Sequence, residues 1–411
     1  MAQALIHADI AVIGGGLTGK MMALSLLQSG YKILLFAPPA KIARRDTRTT
    51  TIHKAGHIML STLGVIEHLS SPMVPIHAIQ VAIGKETPQQ SNWLLNWHET
   101  PTKQGMIEPM AYVVENHNLD SAFDKALAHT KFADNLTIIE DSIASFEEGA
   151  DSAELISIEA NRYQVSLMIA CDGARSFMRE QAGIQPRKET TNQKAIVTNL
   201  HLEIDHDFRA CQRFLETGPI ALMPLSGKMA SVVWSTTADE ADRLIMLDDD
   251  EFATQVTSAF GLEFGNLRPA SDRHSFALNP YYNRQLSKGR LILAGDAAHA
   301  IHPLAGMGYN LALSDAAILL DEIKIAKKRG LKPDHISITN GYAKRRHPEI
   351  IAMSAVTSAL NKALSRRQDS MISRLMATGM ILFDKTAFKH LFSQIAKGGK
   401  LANAPLFNGK I

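Results

Sequence analysis

Three short runs carry residue types spaced for chemistry. The first is Gly14-Gly15-Gly16-Leu17-Thr18-Gly19, a G-x-G-x-x-G. An apolar run, Asp9-Ile10-Ala11-Val12-Ile13, leads into it, and residues 17–29 carry apolar side chains at helical spacing after it. Strand, glycine turn and helix form the context this motif requires. Gly14 permits the tight turn, Gly16 lets a pyrophosphate approach the backbone, and Gly19 lets the helix pack closely on the strand. The helix start then offers free N–H groups and a positive dipole end to phosphate. The pattern predicts a dinucleotide and does not separate FAD from NAD(P).

The second run is Cys171-Asp172-Gly173-Ala174-Arg175-Ser176, with Arg179 three residues on, after the strand-like residues 165–170. The third is Gly295-Asp296-Ala297-Ala298-His299, after Leu291-Ile292-Leu293-Ala294. It continues through His302-Pro303-Leu304-Ala305-Gly306-Met307-Gly308-Tyr309-Asn310. A small-residue turn leaves Asp296 able to accept from a polyol hydroxyl. Gly306 and Gly308 let backbone lie against a flat ring, and a helix starting near Asn310 aims N–H groups at a ring carbonyl that becomes negative on reduction.

These runs need elements to hold them at one place. Residues 31–36 are a second β-rich run stopped by Pro38-Pro39, so the chain opens as β-α-β with a parallel sheet. Residues 76–83 read as strand and 119–130 as helix, while 220–224 and 230–236 read as a hairpin across Ser226-Gly227. A helix is expected from about 309 to 328, and a mixed helical pattern from 341 to 397. Asp248-Asp249-Asp250-Glu251 reads as a helix start. No internal repeat is present. Interleaved β-α and antiparallel segments point to discontinuous domains. We expect a dinucleotide unit from 1–75, 116–190 and 286–340, a substrate unit from 76–115 and 191–285, and a helical region from 341–411.

The chain has 411 residues, 45% hydrophobic and 20% charged, which suits two or three packed domains. Its two cysteines, Cys171 and Cys211, cannot form a disulfide scaffold and fit a reducing compartment. A net charge of +2 argues against nucleic acid as a partner. That charge is uneven: residues 322–411 hold 17 Lys and Arg against 5 Asp and Glu, and the rest hold 26 against 36. A basic end on an acidic body suits docking to an anionic surface, or simply a solvated helix face. Lys344-Arg345-Arg346, Arg366-Arg367 and Lys397 lie among apolar residues, as in helices that rest on anionic lipid or pack on a neighbouring domain. No apolar run reaches bilayer-spanning length and no leader pattern is seen. The expectation is a cytoplasmic protein able to touch the inner face of the membrane peripherally. His299 and His302 are three apart, but no Cys or carboxylate cluster completes a metal site, so none is expected.

In order and spacing, the three motifs resemble the flavin hydroxylases of the para-hydroxybenzoate hydroxylase fold, and more closely the ubiquinone-biosynthesis hydroxylases. The signature of the latter, His-Pro-Leu-Ala-Gly-Gln-Gly-x-Asn-x-Gly-x-x-Asp, is matched from His302 to Asp315, with Met307 for Gln and Ala312 for Gly. Tyr112-Val113-Val114-Glu115-Asn116, residues 218–225, Val233-Trp234-Ser235 and Leu406-Phe407-Asn408-Gly409 also match. The resemblance covers residues 8–409. It implies a glutathione-reductase-like α/β FAD-binding Rossmann domain, a smaller mixed β-sheet substrate domain and a helical C-terminal region. FAD would be the cofactor and NAD(P)H a transient reductant. By resemblance, FAD is held by Gly14, Gly16, Leu17, Thr18, Gly19, Arg48, Asn116, Asp172, Gly173, Gly295, Asp296, Pro303, Gly306, Met307, Gly308 and Asn310. No side chain would be a catalytic nucleophile, because a flavin C4a-hydroperoxide carries the oxygen. The implied substrate is an aromatic, a polyprenyl phenol, with O₂ as co-substrate; Leu222, Pro224 and Val233 are expected as pocket walls. Three alternatives stay open: a hydroxylase of a soluble aromatic, an FAD reductase or halogenase (the halogenase Trp-x-Trp-x-Ile-Pro run is missing), and a non-catalytic member of a quinone-synthesis complex.

One residue departs from the pattern. An acid usually ends the second strand, about 20 residues past the glycines, and binds ribose hydroxyls. Here Ala37 holds that place. Losing a charge-assisted hydrogen bond costs on the order of 1.5–3 kcal/mol where nothing replaces it. Weaker dinucleotide binding than usual is therefore expected.

Overall fold

A computed structural model describes residues 5–39, 46–84, 93, 95–98, 108–306, 308–364 and 404–410. Its first sheet is built on β1 (Ile6–Ile13), whose inner end Ile10 to Val12 is fully buried. β1 pairs in parallel with β2 (Ile33–Phe36) on one side and with the Arg162–Ala170 strand on the other. The Leu136–Ile139 strand continues the parallel order beyond β2, and Leu291–Leu293 continues it beyond 162–170. The central strands, buried on both faces, are near-continuous aliphatic runs, as a covered parallel sheet requires, while the edge strand Leu136–Ile139 is partly exposed. Helix α1 (Leu17–Leu27) crosses over from β1 to β2. Gly14, Asp172 and Gly295 thereby arrive at the same, carboxyl end of three adjacent strands.

Among the described residues the second sheet, like the first, has eight strands, and it is mixed. The expected hairpin forms, with Pro224 opposite Ala230 and Gly227 at a φ of 67°. The Gln193–Leu202, Met229–Thr237, Gly218–Pro224 and Arg209–Leu215 strands run antiparallel in that order, and Ala78–Ile83 then joins in parallel. One face packs on helices Ala238–Met246 and Asp249–Phe260, through Leu244, Phe252, Val256 and Phe260. Asp248 caps the second of these by accepting from the Glu251 N–H at 2.8 Å, the role its acidic run suggested. A small third sheet joins β3 (Thr49–His53) to Ala111–Glu115 and Val74–Ile76. It lies between the two large sheets, and Thr49 Oγ1 meets Ser231 Oγ at 3.0 Å.

Two long helices close the first domain, Gly308–Lys328 and Ile336–Leu364. The latter carries Pro348 within it. The rest of the helical pattern expected to 397, residues 365–403, lies outside the described residues. At the helix junction Asp315 is fully buried and receives three donors. The Gly295 N–H reaches Oδ2 at 2.8 Å, His299 Nε2 reaches it at 2.9 Å, and Arg346 Nε reaches Oδ1 at 2.6 Å. Arg346, also fully buried, further contacts Glu349 and the Leu311 carbonyl. Tyr342 donates to the Leu293 carbonyl at 2.9 Å. The Arg346 and His299 charges outweigh desolvation and hold the Asp315 carboxyl down at about 2.

Two predictions follow from these buried groups. Replacing Asp315 with Asn strips a buried cation of its main partner and should cost about 3–5 kcal/mol; urea unfolding measures it, and a loss under about 1 kcal/mol would contradict the assignment. The second concerns pH. Burial pushes the His53 and His302 imidazoles down to about 4, against about 6.5 in an unfolded chain. The unfolded state then binds protons that the native state refuses between those values. Stability should be complete above pH 6.5 and fall toward pH 4, by up to roughly 1.4 kcal/mol per pH unit for each histidine. His53 Nδ1 also accepts from the Gly56 N–H at 2.7 Å as a helix cap. His53→Asn keeps a cap acceptor and should flatten the slope by one proton. An unchanged slope would show that His53 does not titrate in this way.

Candidate functional site

The first loop is held by close backbone contact. Gly14 has a φ of 125°, and a Cβ there would lie 2.3 Å from the Cys171 carbonyl oxygen. A Cβ on Gly19 would lie 1.7 Å from the Gly14 carbonyl oxygen. The two residues are glycine because backbone occupies the side-chain space. Gly16 is different: nothing lies within 4 Å of its built Cβ. It is the N-cap of α1, with no side chain capping it and no acid in the first turn. Those helix N–H groups face open space suited to phosphate.

The second loop leaves the Arg162–Ala170 strand. Asp172 Oδ2 accepts from the Met178 N–H at 3.1 Å, whereas Oδ1 is buried without a hydrogen-bond partner among the described residues. Desolvation raises this carboxyl's pKa above the ordinary aspartate value. Gly173 has a φ of 84° and open space beside it. Arg179 ties this loop to the third, donating to the Ala174 carbonyl at 2.8 Å and the Ala297 carbonyl at 2.9 Å. Tyr281 completes the tie, accepting from Arg179 at 3.3 Å and donating to the Asp296 carbonyl. The sequence reading missed Tyr281, which lies in no motif; its neighbours are set by the antiparallel pairing of its strand, Tyr281–Asn283, with His299–Ala300.

The third loop touches the first. A Cβ on Gly295 would sit 2.6 Å from Thr18, and Tyr309 donates to the Leu17 carbonyl at 3.3 Å. Asp296 opens to the groove, and desolvation by the surrounding protein raises its carboxyl, opposed by His299 and Arg48. Gly306 has a φ of 62°, with Thr51 occupying its side-chain space at 2.6 Å. Nothing lies within 4 Å of a Cβ on Gly308. Asn310, expected at the helix start, is a clip: Oδ1 accepts from the His53 N–H at 3.0 Å and Nδ2 donates to the Thr51 carbonyl at 2.8 Å. His299, one of the two spaced histidines, bonds Asp315. Pro303 is half-buried beside His302, and Met307 lies outside the described residues.

Arg48 and Asn116, far apart in sequence, are brought together. The Asn116 N–H donates to the Arg48 carbonyl at 3.0 Å, and Thr50 donates to Asn116 Oδ1 at 2.6 Å. The Arg48 guanidinium pairs with Asp46 at 2.8 Å, and Asp46 and Asp296 both raise its pKa. The expected pocket walls divide by strand alternation. Leu222 belongs to the core against the two helices, and Pro224 lies on its face of the strand. Val233, half-buried, shares the opposite face with Ser231, which reaches β3. On that side the third loop also abuts the sheet, with Leu304 against Phe214 and His302 Nε2 at 3.3 Å from Gln193.

Gly-lined backbone open to phosphate, an orphaned buried Asp172 oxygen and an Asp296 carboxylate open to the same groove suit the pyrophosphate and polyol of FAD. The comparisons agree. The family described as FAD binding domain matches residues 7–349. A ubiquinone hydroxylase of Rhodospirillum rubrum is 31% identical, over 87% of this chain and 82% of the relative. A human mitochondrial ubiquinone biosynthesis monooxygenase is 29% identical, over 87% and 85%. The 3-demethoxyubiquinol 3-hydroxylase of Escherichia coli is 27% identical, over 84% and 87%. Among solved structures, the p-nitrophenol 4-monooxygenase of Pseudomonas putida superposes with a TM-score of 0.77 at 17% identity, covering 96% of this chain and all of that one. Three loops gathered at one sheet edge and relatives aligned over most of their length carry one conclusion: the chain belongs to the FAD-binding monooxygenases of the ubiquinone-biosynthesis hydroxylase family.

Proposed function

We propose that this FAD-dependent monooxygenase hydroxylates the aromatic ring of a prenylated phenol, a ubiquinone precursor. The observation that carries the reading is the meeting of the third loop with the apolar inner face of the second sheet. FAD, when bound, would supply the redox chemistry, with NAD(P)H as the two-electron donor and O₂ as the source of one oxygen atom for the ring and one for water. The chain's own residues bind and orient. The open N–H groups of α1 hold phosphate, and Asp296 accepts from a polyol hydroxyl. The N-terminus of the Gly308–Lys328 helix offers its positive dipole end to the ring edge that gains charge. Val233, Phe214 and Leu304 exclude water from the reacting face. His302 Nδ1 is buried with no partner among the described residues and is suited to a substrate hydroxyl. On this proposal, the discontinuous units expected from the sequence would divide the work, one holding FAD and the other covering the substrate.

The test is product analysis with purified, FAD-loaded protein. Prenylphenol should stimulate NAD(P)H oxidation and gain one oxygen by mass, and an unprenylated phenol should do so far less. Equal turnover of both would favour a soluble aromatic substrate. Binding of neither FAD nor O₂ chemistry, together with co-purifying proteins, would favour the non-catalytic alternative.

A long isoprenoid tail has to be collected from lipid, and we place the contact at an anionic membrane surface. The basic run Lys344-Arg345-Arg346 supports this less than its sequence suggested. Arg346 is buried on Asp315, and Arg345 pairs with Asp321 at 2.6 Å and Glu322 at 2.9 Å. A better candidate is a hollow of about 410 Å³ at the end of the Gly308–Lys328 helix. Lys324, Lys328 and Lys410 line it above Leu320, Ile325 and Leu406. Among the described residues, no helix is long and apolar enough to cross a membrane. Flotation should show binding to vesicles containing phosphatidylglycerol but not to phosphatidylcholine alone. Salt should weaken it, and so should Lys324→Glu combined with Lys328→Glu. Binding indifferent to salt and to both substitutions would remove this surface from consideration.

A further inference from the structure

The position that lacks its acid has a neighbour that carries one. β2 and the Leu136–Ile139 strand run parallel, with Ile33 opposite Leu136 and Phe36 opposite Ile139. The ladder continues one step further, because the Ala37 N–H donates to the Ile139 carbonyl at 2.8 Å. That register sets Glu140 beside Ala37, at the strand spacing of about 4.8 Å. Residues opposite one another in a sheet share a face, so the two side chains leave on the same side. Ala37 lies against the glycine loop: a Cβ built on Gly15 would meet the Ala37 Cβ at 2.5 Å. Glu140 is exposed and has no hydrogen bond or ion pair among the described residues. Its neighbour Asp141 is committed internally, accepting from the Ser142 N–H at 2.7 Å and the Glu159 N–H at 3.1 Å.

We propose that Glu140 binds the vicinal ribose hydroxyls of the adenosine half of FAD, replacing the acid absent at position 37. The inference rests on the FAD reading above and deepens it. A carboxylate one strand over, on a side chain one methylene longer than aspartate, covers the offset with its own length. It accepts the two hydroxyl protons as a charge-assisted pair, which is the interaction the Ala37 departure removed. On this view the chain has moved the ribose contact rather than lost it, and FAD affinity is not weakened by Ala37.

The experiment is a double-mutant cycle read as FAD dissociation constants by flavin fluorescence, with no turnover needed. Glu140→Gln should weaken FAD roughly 10- to 100-fold. Ala37→Glu should restore most of that loss in the Glu140→Gln protein and add much less to the wild type, because the two acids serve the same hydroxyls. ADP should compete better than 2′,3′-dideoxy-ADP against wild type, and Glu140→Gln should erase the difference. Riboflavin, which lacks the ribose, should bind both proteins alike. A Glu140→Gln protein with unchanged FAD affinity overturns the proposal, as does an Ala37→Glu gain of equal size in both backgrounds. Wild-type protein that binds no FAD at all would instead bring down the flavin reading on which the proposal stands.

Discussion

A single buried carboxylate holds the molecule's working edge together. Asp315 accepts from the backbone of Gly295, from His299 and from Arg346, all in the space where three elements meet. A carboxylate in an apolar interior is stable only when its lone pairs are filled and its charge matched. Both conditions are met here by groups from the flavin loop and the last long helix. The loop that carries Asp296 is therefore registered against helices at its back and against backbone glycines at its front. Any looseness in that registration would move Asp296 and the backbone of Gly306 and Gly308 together.

The two large sheets divide the chemistry through their edges and faces. The parallel sheet presents carboxyl ends, where strands stop and loops with free N–H groups begin, so it suits charged and polyhydroxylated ligand parts. The mixed sheet presents two faces, one committed to its own helices and the other turned toward the loops. Period-two alternation decides which side chains fall on which side. Leu222 and Val233 look alike in sequence and face opposite sides of the sheet, because their strand positions differ in parity relative to the pairing. The small sheet containing β3 bridges the two, and Asn310 clips it to the start of the helix that follows the third loop.

The basic C-terminal part shows how composition misleads about surface charge. Two consecutive arginines there are spent on acids, one buried on Asp315 and the other, half-buried, on Asp321 and Glu322. Among the described residues, Lys324, Lys328 and Lys410 instead line one hollow at the end of the preceding helix. A count of lysines and arginines cannot separate these cases, since pairing depends on which acids the fold brings within 4 Å.

By itself the sequence determined the nucleotide loops, the parallel β-α-β start, the hairpin at Gly227 and the family. Glycine spacing, hydrophobic period and turn residues act locally and can be read locally. The Arg179–Tyr281 tie, the Asp315–Arg346 pair and the sorting of Leu222 from Val233 were decided only by tertiary structure. Each depends on which distant strands become neighbours, in which register and on which face. The neighbour of Ala37 belongs to the same class. The missing acid was plain in the sequence at one position, and the carboxylate beside it came into view only through the pairing of two strands about a hundred residues apart.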